Sequence, residues 1–167
     1  MELLLERLEE AGVAERTLIV LSSDHYPYGL TKEQVEELEG HEVDKFELYR
    51  NSLVIYAPGM EPQTVDEPVS SLDIIPTLSN LLGLEFDSRL LMGRDVFSEA
   101  DPLVIFSDRS FVTDLGRYDS MARELTPAPG QEVPDGYRQA ISDEIDRRFY
   151  YSAMMLDHDY YRIVLDR

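Results

Sequence analysis

Residues 17–26 read TLIVLSSDHY, and this stretch decides the predicted fold class. Its first five residues are β-branched or aliphatic with no polar alternation, which is typical of a strand covered on both faces in a parallel sheet. A surface helix is predicted before it, because Leu4, Leu8 and Ala11 recur at helical spacing and Gly12 offers a stop. Helix, short loop and buried strand together predict an α/β fold with a mostly parallel sheet.

The rest of the chain continues this alternation. A capping box at Thr31 and Gln34 predicts a helix that ends at Gly40. A second helix, capped by Ser71 or Asp73, is predicted to end at Gly83. Predicted strands occupy residues 53–56, 103–106 and 110–113. We divide the chain into an α/β core (1–123), a Pro/Gly-rich linker (124–136) and a C-terminal helix and tail (137–167).

The composition excludes several classes of function. The chain has 167 residues and a formal net charge of -19, so its field repels phosphate backbones and argues against nucleic-acid binding through a basic face. It contains no cysteine, which removes disulfides, thiolate metal sites and a cysteine nucleophile. No apolar run approaches the roughly 20 residues of a membrane span, and Met1 opens into an acidic amphipathic stretch where a signal peptide would be basic and then apolar. We therefore expect the chain itself to be soluble.

Asp24 and His25 directly follow the predicted strand, and ligands in open α/β sheets collect outside the carboxyl ends of strands. A carboxylate beside an imidazole offers one oxygen and one nitrogen to a divalent metal ion such as zinc or manganese. Neighbours on a strand point to opposite faces, so both reach one ion only where the backbone turns, and YPYG at 26–29 predicts that turn. The alternative is a turn carboxylate that caps the next segment, beside an ordinary surface histidine.

Four blocks of sequence, in order, resemble the sulfatase branch of the alkaline-phosphatase superfamily. Residues 17–25 resemble its strand and metal-binding Asp-His, and the similarity is greatest to the lipoteichoic acid synthase family, whose motif has an aromatic residue after the His, as Tyr26 is here. The other blocks are RNSLVIYAPG at 50–59, SLDIIPTL at 71–78 continuing to Gly83, and MGRDVF at 92–97. The tail, with YYSA at 150–153, is also similar to the end of such proteins.

This resemblance implies part of an alkaline-phosphatase-like sandwich: a mostly parallel sheet with flanking helices, a small β element and a C-terminal helix. It also implies a metal-dependent phosphoryl or sulfuryl ester enzyme. The preferred activity is transfer of glycerol phosphate from a phospholipid to a growing polymer, at the extracytoplasmic face of the membrane to which the parent protein is anchored. Asp24 and His25 would bind the metal, with manganese preferred and zinc, magnesium or calcium as alternatives.

In this family the nucleophile is a Thr, or in true sulfatases a modified Cys or Ser, and it lies in the first half of the domain with an acidic metal ligand. Only one predicted helix precedes residue 17, so we expect the N-terminal half of the catalytic domain, with the nucleophile, to be absent from this chain. Two ligands seldom suffice for tight binding. We therefore expect weak metal binding and no turnover from the chain alone.

His41 and Lys45 are further candidates, for substrate binding. They precede the second predicted strand, in a region where many sulfatases place a His and a Lys against the substrate anion. Their acidic neighbours also fit a solvated face. Arg109 lies in a predicted turn from which it could contact a phosphate, and His158 between two Asp fits a surface cap better than a metal cluster.

Two alternative functions remain open at this stage. An arylsulfatase or phosphoethanolamine transferase would carry a similar Asp-His strand. A non-catalytic acidic binding or scaffold module, without metal, belongs to a different class and predicts that Asp24 and His25 sit apart or that both point to solvent. A truncated α/β sheet would also expose a strand edge and an apolar face, so we expect the chain to associate with itself or to cover the exposed face by rearranging its N-terminal helix.

Overall fold

The structure of the protein is a computed structural model, and residues 1–165 are described. The chain divides into two compact units, one from Met1 to Gln63 and a second that begins at Thr64. Each unit combines helices with a small sheet, so the α/β class predicted from the sequence is confirmed. The boundary after Gln63 was not predicted, because the composition changes little there and the sequence placed residues 1–123 in one core.

The first unit is built from short elements. In chain order they are α1 (Glu2–Glu10), a 3₁₀ turn (Ala14–Arg16), β1 (Ile19–Leu21), α2 (Lys32–Glu39), α3 (Lys45–Leu48) and β2 (Val54–Tyr56). The predicted capping box is present. The Thr31 hydroxyl accepts the backbone N–H of Gln34, and the side-chain oxygen of Gln34 accepts the backbone N–H of Thr31. Gly40 ends α2 in the left-handed conformation, as expected for a glycine stop.

The predicted parallel pairing of the first strand is wrong. β1 pairs antiparallel with β2, with Ile19 opposite Tyr56 and Leu21 opposite Val54. Of the three residues of β1, Ile19 alone is buried, while Leu21 is 42% exposed. The apolar run correctly predicted a strand, but such a run indicates only that both faces are hydrophobic. The direction of the partner strand depends on the connection between them, which the run does not encode.

The second unit holds a four-stranded antiparallel sheet and the longest helix. Its elements are a 3₁₀ turn (Ser71–Asp73), α4 (Ile74–Leu81), a 3₁₀ turn (Ser88–Leu90), β3 (Val104–Ile105), β4 (Phe111–Val112), β5 (Gly116–Asp119), β6 (Glu124–Pro127), α5 (Tyr137–Asp157) and α6 (Tyr160–Leu165). The strands follow one another in the order β3-β4-β5-β6. Phe111, Tyr118 and Ile145 form the core between this sheet and α5.

The segment predicted as a linker, residues 124–136, begins with strand β6. This strand pairs with β5 from Glu124 opposite Asp119 to Pro127 opposite Gly116. Pro127 is tolerated because it lies at the end of an edge strand, where a missing N–H removes no bond from the sheet interior. The Pro and Gly content therefore marked turns around a short strand, and α5 begins at Tyr137 where the sequence predicted a helix.

A buried polar network ties α4 to the segment 92–97. The carboxylate of Asp73 accepts the backbone N–H of Ser70 and that of Arg94, each at 2.8 Å. The Thr77 hydroxyl, which is fully buried, accepts the N–H of Val96 at 3.1 Å. Gly93 lies against the backbone of the 3₁₀ turn Ser71–Asp73. A Cβ added to Gly93 would lie 2.0 Å from the carbonyl oxygen of Leu72. Two of the sequence blocks singled out above thus meet in one packed joint.

None of the helices within residues 1–165 combines the length and the hydrophobicity of a transmembrane segment.

Candidate metal site after the first strand

Asp24 and His25 lie side by side in the loop between β1 and α2. Asp24 Oδ1 is 3.3 Å from His25 Nε2. Both side chains are open to solvent, with 87% of the Asp24 side chain and 49% of the His25 side chain exposed. The two side chains lie together, which differs from the first arrangement that a non-catalytic module predicts, and both are open to solvent, which matches the second. One incoming ion can approach both atoms.

The His25 ring has a defined tautomer. Its Nδ1 lies 2.7 Å from the backbone carbonyl oxygen of Tyr26. A carbonyl oxygen can only accept, so Nδ1 carries the hydrogen, and in the neutral ring Nε2 carries the lone pair. That lone pair faces a carboxylate oxygen of Asp24, which is also an acceptor. A cation placed between these two acceptors would contact both of them.

The backbone turns off the strand as the sequence predicted. The Tyr28 N–H donates to the Tyr26 carbonyl at 2.7 Å, and the Leu30 N–H donates to the Pro27 carbonyl at 3.0 Å. A bond from residue i+2 back to residue i is typical of a γ-turn, and the proline at its centre fixes a compatible φ. The Tyr26 carbonyl therefore accepts two hydrogens, one from the turn and one from the imidazole of His25.

Aromatic rings lie beside His25 and in the turn that follows it, and the sequence analysis gave Tyr28 and Tyr49 no role. The Tyr28 ring lies 4.4 Å from the His25 ring between centroids, at 51°. The Tyr26 ring lies 4.7 Å from that of Tyr49, which follows α3. The signal available in the sequence was the spacing His-Tyr-Pro-Tyr, because a proline turn folds the second tyrosine back toward the histidine.

In the structure, His41 lies next to Glu47 and the backbone of Glu39. Its Nε2 lies 3.5 Å from Glu47 Oε1, and its Nδ1 lies 3.2 Å from the Glu39 carbonyl. The Glu39 carbonyl, with a smaller contribution from Glu47, raises the pKa of His41 above its ordinary value. The Lys45 ammonium lies 5.4 Å from the centroid of the Phe46 ring. His41 is thus one end of an acidic surface cluster, and substrate binding by it and Lys45 stays a prediction.

Two other candidates take part in packing and capping. Arg109 donates to Asp146, and its guanidinium lies 4.7 Å from the centroid of the Phe149 ring, so it ties the β3–β4 turn to α5. His158 is the C-cap residue of α5, and its N–H donates to the Met154 carbonyl at 3.1 Å. Neither contact requires a phosphate or a metal ion.

The donor set at Asp24 and His25 fits part of a metal site. One carboxylate oxygen and one imidazole nitrogen suit a borderline divalent ion. Two atoms 3.3 Å apart can both bind one ion at the usual distance of about 2.1 Å. Within residues 1–165, however, His, Asp and Glu side chains do not gather in groups of three or more suited to an ion. The remaining ligands of a full coordination sphere would have to come from other residues.

The family model named Sulfatase matches residues 1–84 of this chain of 167 residues, a segment that contains the Asp-His loop and α4. The chain belongs to the sulfatase family. The resemblance inferred from four blocks of sequence is therefore confirmed at the level of the family.

Three proteins to which this chain is similar are named as lipoteichoic acid synthases or as lipoteichoic acid synthase-like. It is 29% identical over 121 residues to the lipoteichoic acid synthase-like protein YvgJ of Bacillus subtilis (strain 168), covering 66% of this chain and 19% of that protein. It is 27% identical over 114 residues to lipoteichoic acid synthase 2 of the same strain, covering 64% and 17%. It is 28% identical over 118 residues to lipoteichoic acid synthase of Staphylococcus aureus (strain USA300), covering 66% and 18%. The match spans less than a fifth of each relative.

Proposed function

We propose that this chain supplies the Asp-His part of the catalytic domain of a phosphoglycerol transferase of lipoteichoic acid synthase type. The observation that carries the proposal is the approach of His25 Nε2 to Asp24 Oδ1, with the other ring nitrogen already engaged by the Tyr26 carbonyl. The names of the three relatives favour this activity over an arylsulfatase or a phosphoethanolamine transferase.

In this proposal Asp24 and His25 hold a divalent cation, with manganese preferred. The ion, when bound, polarises a phosphoryl oxygen and offsets the charge that develops on it. Asp24 contributes an exposed negative charge. His25 contributes a nitrogen lone pair whose direction is set by the bond from Nδ1 to the Tyr26 carbonyl. Zinc, magnesium and calcium are the alternatives, and calcium is the least suited of them to an imidazole nitrogen.

His41 and Lys45 are proposed to contact the substrate anion, a phosphate ester of a phospholipid. The raised pKa of His41 favours its imidazolium form, which attracts an anion. The same proposal places the parent protein at the extracytoplasmic face of the membrane. The nucleophile and the remaining metal ligands would come from residues outside this chain, so the chain alone should bind metal weakly and should not turn over.

Manganese binding to the purified chain, followed by the electron paramagnetic resonance signal of free Mn²⁺, tests the proposal. We expect weak binding that Asp24→Ala and His25→Ala each abolish. Asp66→Ala is the matched control, because it removes an equal charge from another exposed carboxylate. Equal Mn²⁺ binding by Asp24→Ala and Asp66→Ala would show that the site assignment is wrong. Metal-dependent phosphodiesterase activity of the chain alone would overturn the expected inactivity.

A further inference from the structure

Tyr28 is exposed, yet its ring lies against the imidazole of the candidate metal ligand. The Tyr28 residue is 67% accessible to solvent, so it contributes little to a hydrophobic core. The centroids of the Tyr28 and His25 rings are nevertheless 4.4 Å apart. The two rings are tilted at 51° to each other, so the tyrosine ring contacts the imidazole without stacking flat on it.

The backbone of Tyr28 fixes the same imidazole by a second route. The Tyr28 N–H donates to the Tyr26 carbonyl, and His25 Nδ1 donates to that same oxygen. The γ-turn around Pro27 therefore brings together the Tyr28 residue and the acceptor of the His25 hydrogen bond. The imidazole therefore has two contacts with this turn, a hydrogen bond from Nδ1 and the ring of Tyr28.

Together these contacts oppose rotation of the His25 ring about its Cβ–Cγ bond. Such a rotation would swing Nε2 away from Asp24 Oδ1, from which it now lies 3.3 Å. We propose that Tyr28 is a positioning residue for His25, and that its ring keeps Nε2 directed at the cation held with Asp24. This inference rests on the proposed metal site. Hydrogen-bonded partners that orient a metal-binding histidine change metal affinity or activity by about 10- to 100-fold when they are mutated, and we expect the lower end for a ring contact.

Nuclear magnetic resonance of the full chain tests the inference, because the three histidines give three resolvable sets of ring signals. In the wild type, Mn²⁺ alone should broaden the His25 signals before those of His41 and His158. We expect Tyr28→Leu to shift the His25 ring signals, since the ring current of the tyrosine is lost. It should also raise the Mn²⁺ concentration that broadens them about tenfold. Tyr28→Phe keeps the ring and should behave as the wild type does.

The possible results distinguish a failure of the positioning role of Tyr28 from a failure of the proposed metal site. If Mn²⁺ broadens His25 selectively and Asp24→Ala removes the effect, but Tyr28→Leu leaves it unchanged, the metal site stands and the positioning role is wrong. If the wild type shows no selective broadening of His25, the proposed metal site itself fails, and the positioning role fails with it. Changes in the His41 and His158 signals of Tyr28→Leu would reveal a general structural role and would also overturn the inference.

Discussion

A single hydrogen bond decides which nitrogen of His25 meets Asp24. Because Nδ1 donates to the Tyr26 carbonyl, Nε2 is the atom left to bind a cation. The sequence predicted the pair of residues and the turn that brings them together. It did not predict the tautomer or the Tyr28 contact, since both depend on backbone dihedral angles of the four residues 25–28.

The protonation of His41 should make a pH-dependent contribution to stability. Its pKa is raised, so the stabilisation from its hydrogen bonds is complete below the ordinary pKa of 6.5 and is lost as the pH rises through the higher folded value. Titration of the His41 ring signals should give a midpoint above 6.5 in the wild type. Glu47→Gln keeps a side-chain oxygen that can accept the backbone N–H of Asp44. It should lower the midpoint only in part, because the Glu39 carbonyl has the larger effect. A wild-type midpoint at or below 6.5 would contradict this account.

Asp73 gives a second residue-scale prediction, for stability. Removal of its buried carboxylate leaves the N–H groups of Ser70 and Arg94 without their acceptor. We expect Asp73→Ala to lower the free energy of unfolding by about 2–3 kcal/mol in urea denaturation. Asp73→Asn should cost less, because its amide oxygen can still accept one of the two bonds. The exposed control Asp66→Ala should have little effect, and a similar loss in that control would argue against a specific role for Asp73.

At the scale of elements, the joint between α4 and residues 92–97 depends on close backbone approach. An added Cβ at Gly93 would lie 2.0 Å from the Leu72 carbonyl oxygen, and backbone cannot yield as a flexible side chain can. Gly93→Ala should therefore destabilise the protein by about 1–3 kcal/mol, measured by thermal or urea unfolding.

Gly29→Ala is the matched control for this substitution. Its added Cβ meets nothing within 4 Å and its φ is not positive, so it should be neutral or slightly stabilising. Equal stability of the two alanine variants would show that the joint is not tightly packed.

Sequence patterns were sufficient to predict several helices but not the pairing of the strands. Local signals placed α1, α2 and α5 well, because caps, glycine stops and a 3.6-residue apolar period act within one element. Pairing direction failed for β1, because it depends on residues more than 30 positions away. The linker prediction missed β6 for a similar reason: Pro and Gly report local backbone freedom, while the ladder to β5 is made by another segment.

The exposed apolar side chains of the β1–β2 sheet lead us to predict that the whole chain associates with other copies of itself. Leu21, Val54 and Tyr56 are each more than 40% exposed. In a two-stranded sheet each strand keeps one edge free for pairing. We expect light scattering at high concentration and moderate salt, which screens the net charge of -19, to give a mass above the 19.2 kDa of one chain.

Val54→Lys should reduce that association, because a lysine on an edge strand opposes pairing with another chain. Leu38→Lys is the control, since Leu38 is exposed on α2 and lies outside the sheet. A wild-type mass of one chain at high concentration, or an equal effect of the two lysine variants, would contradict association through this sheet.

The central claim is that Asp24 and His25 hold one cation, and crystals of the chain soaked in Mn²⁺ test it most directly through anomalous scattering from manganese. The account predicts an anomalous peak within bonding distance of both Asp24 Oδ1 and His25 Nε2, and no such peak in crystals of Asp24→Ala. A manganese-soaked crystal with no peak there, or with these two side chains turned away from each other, would contradict it.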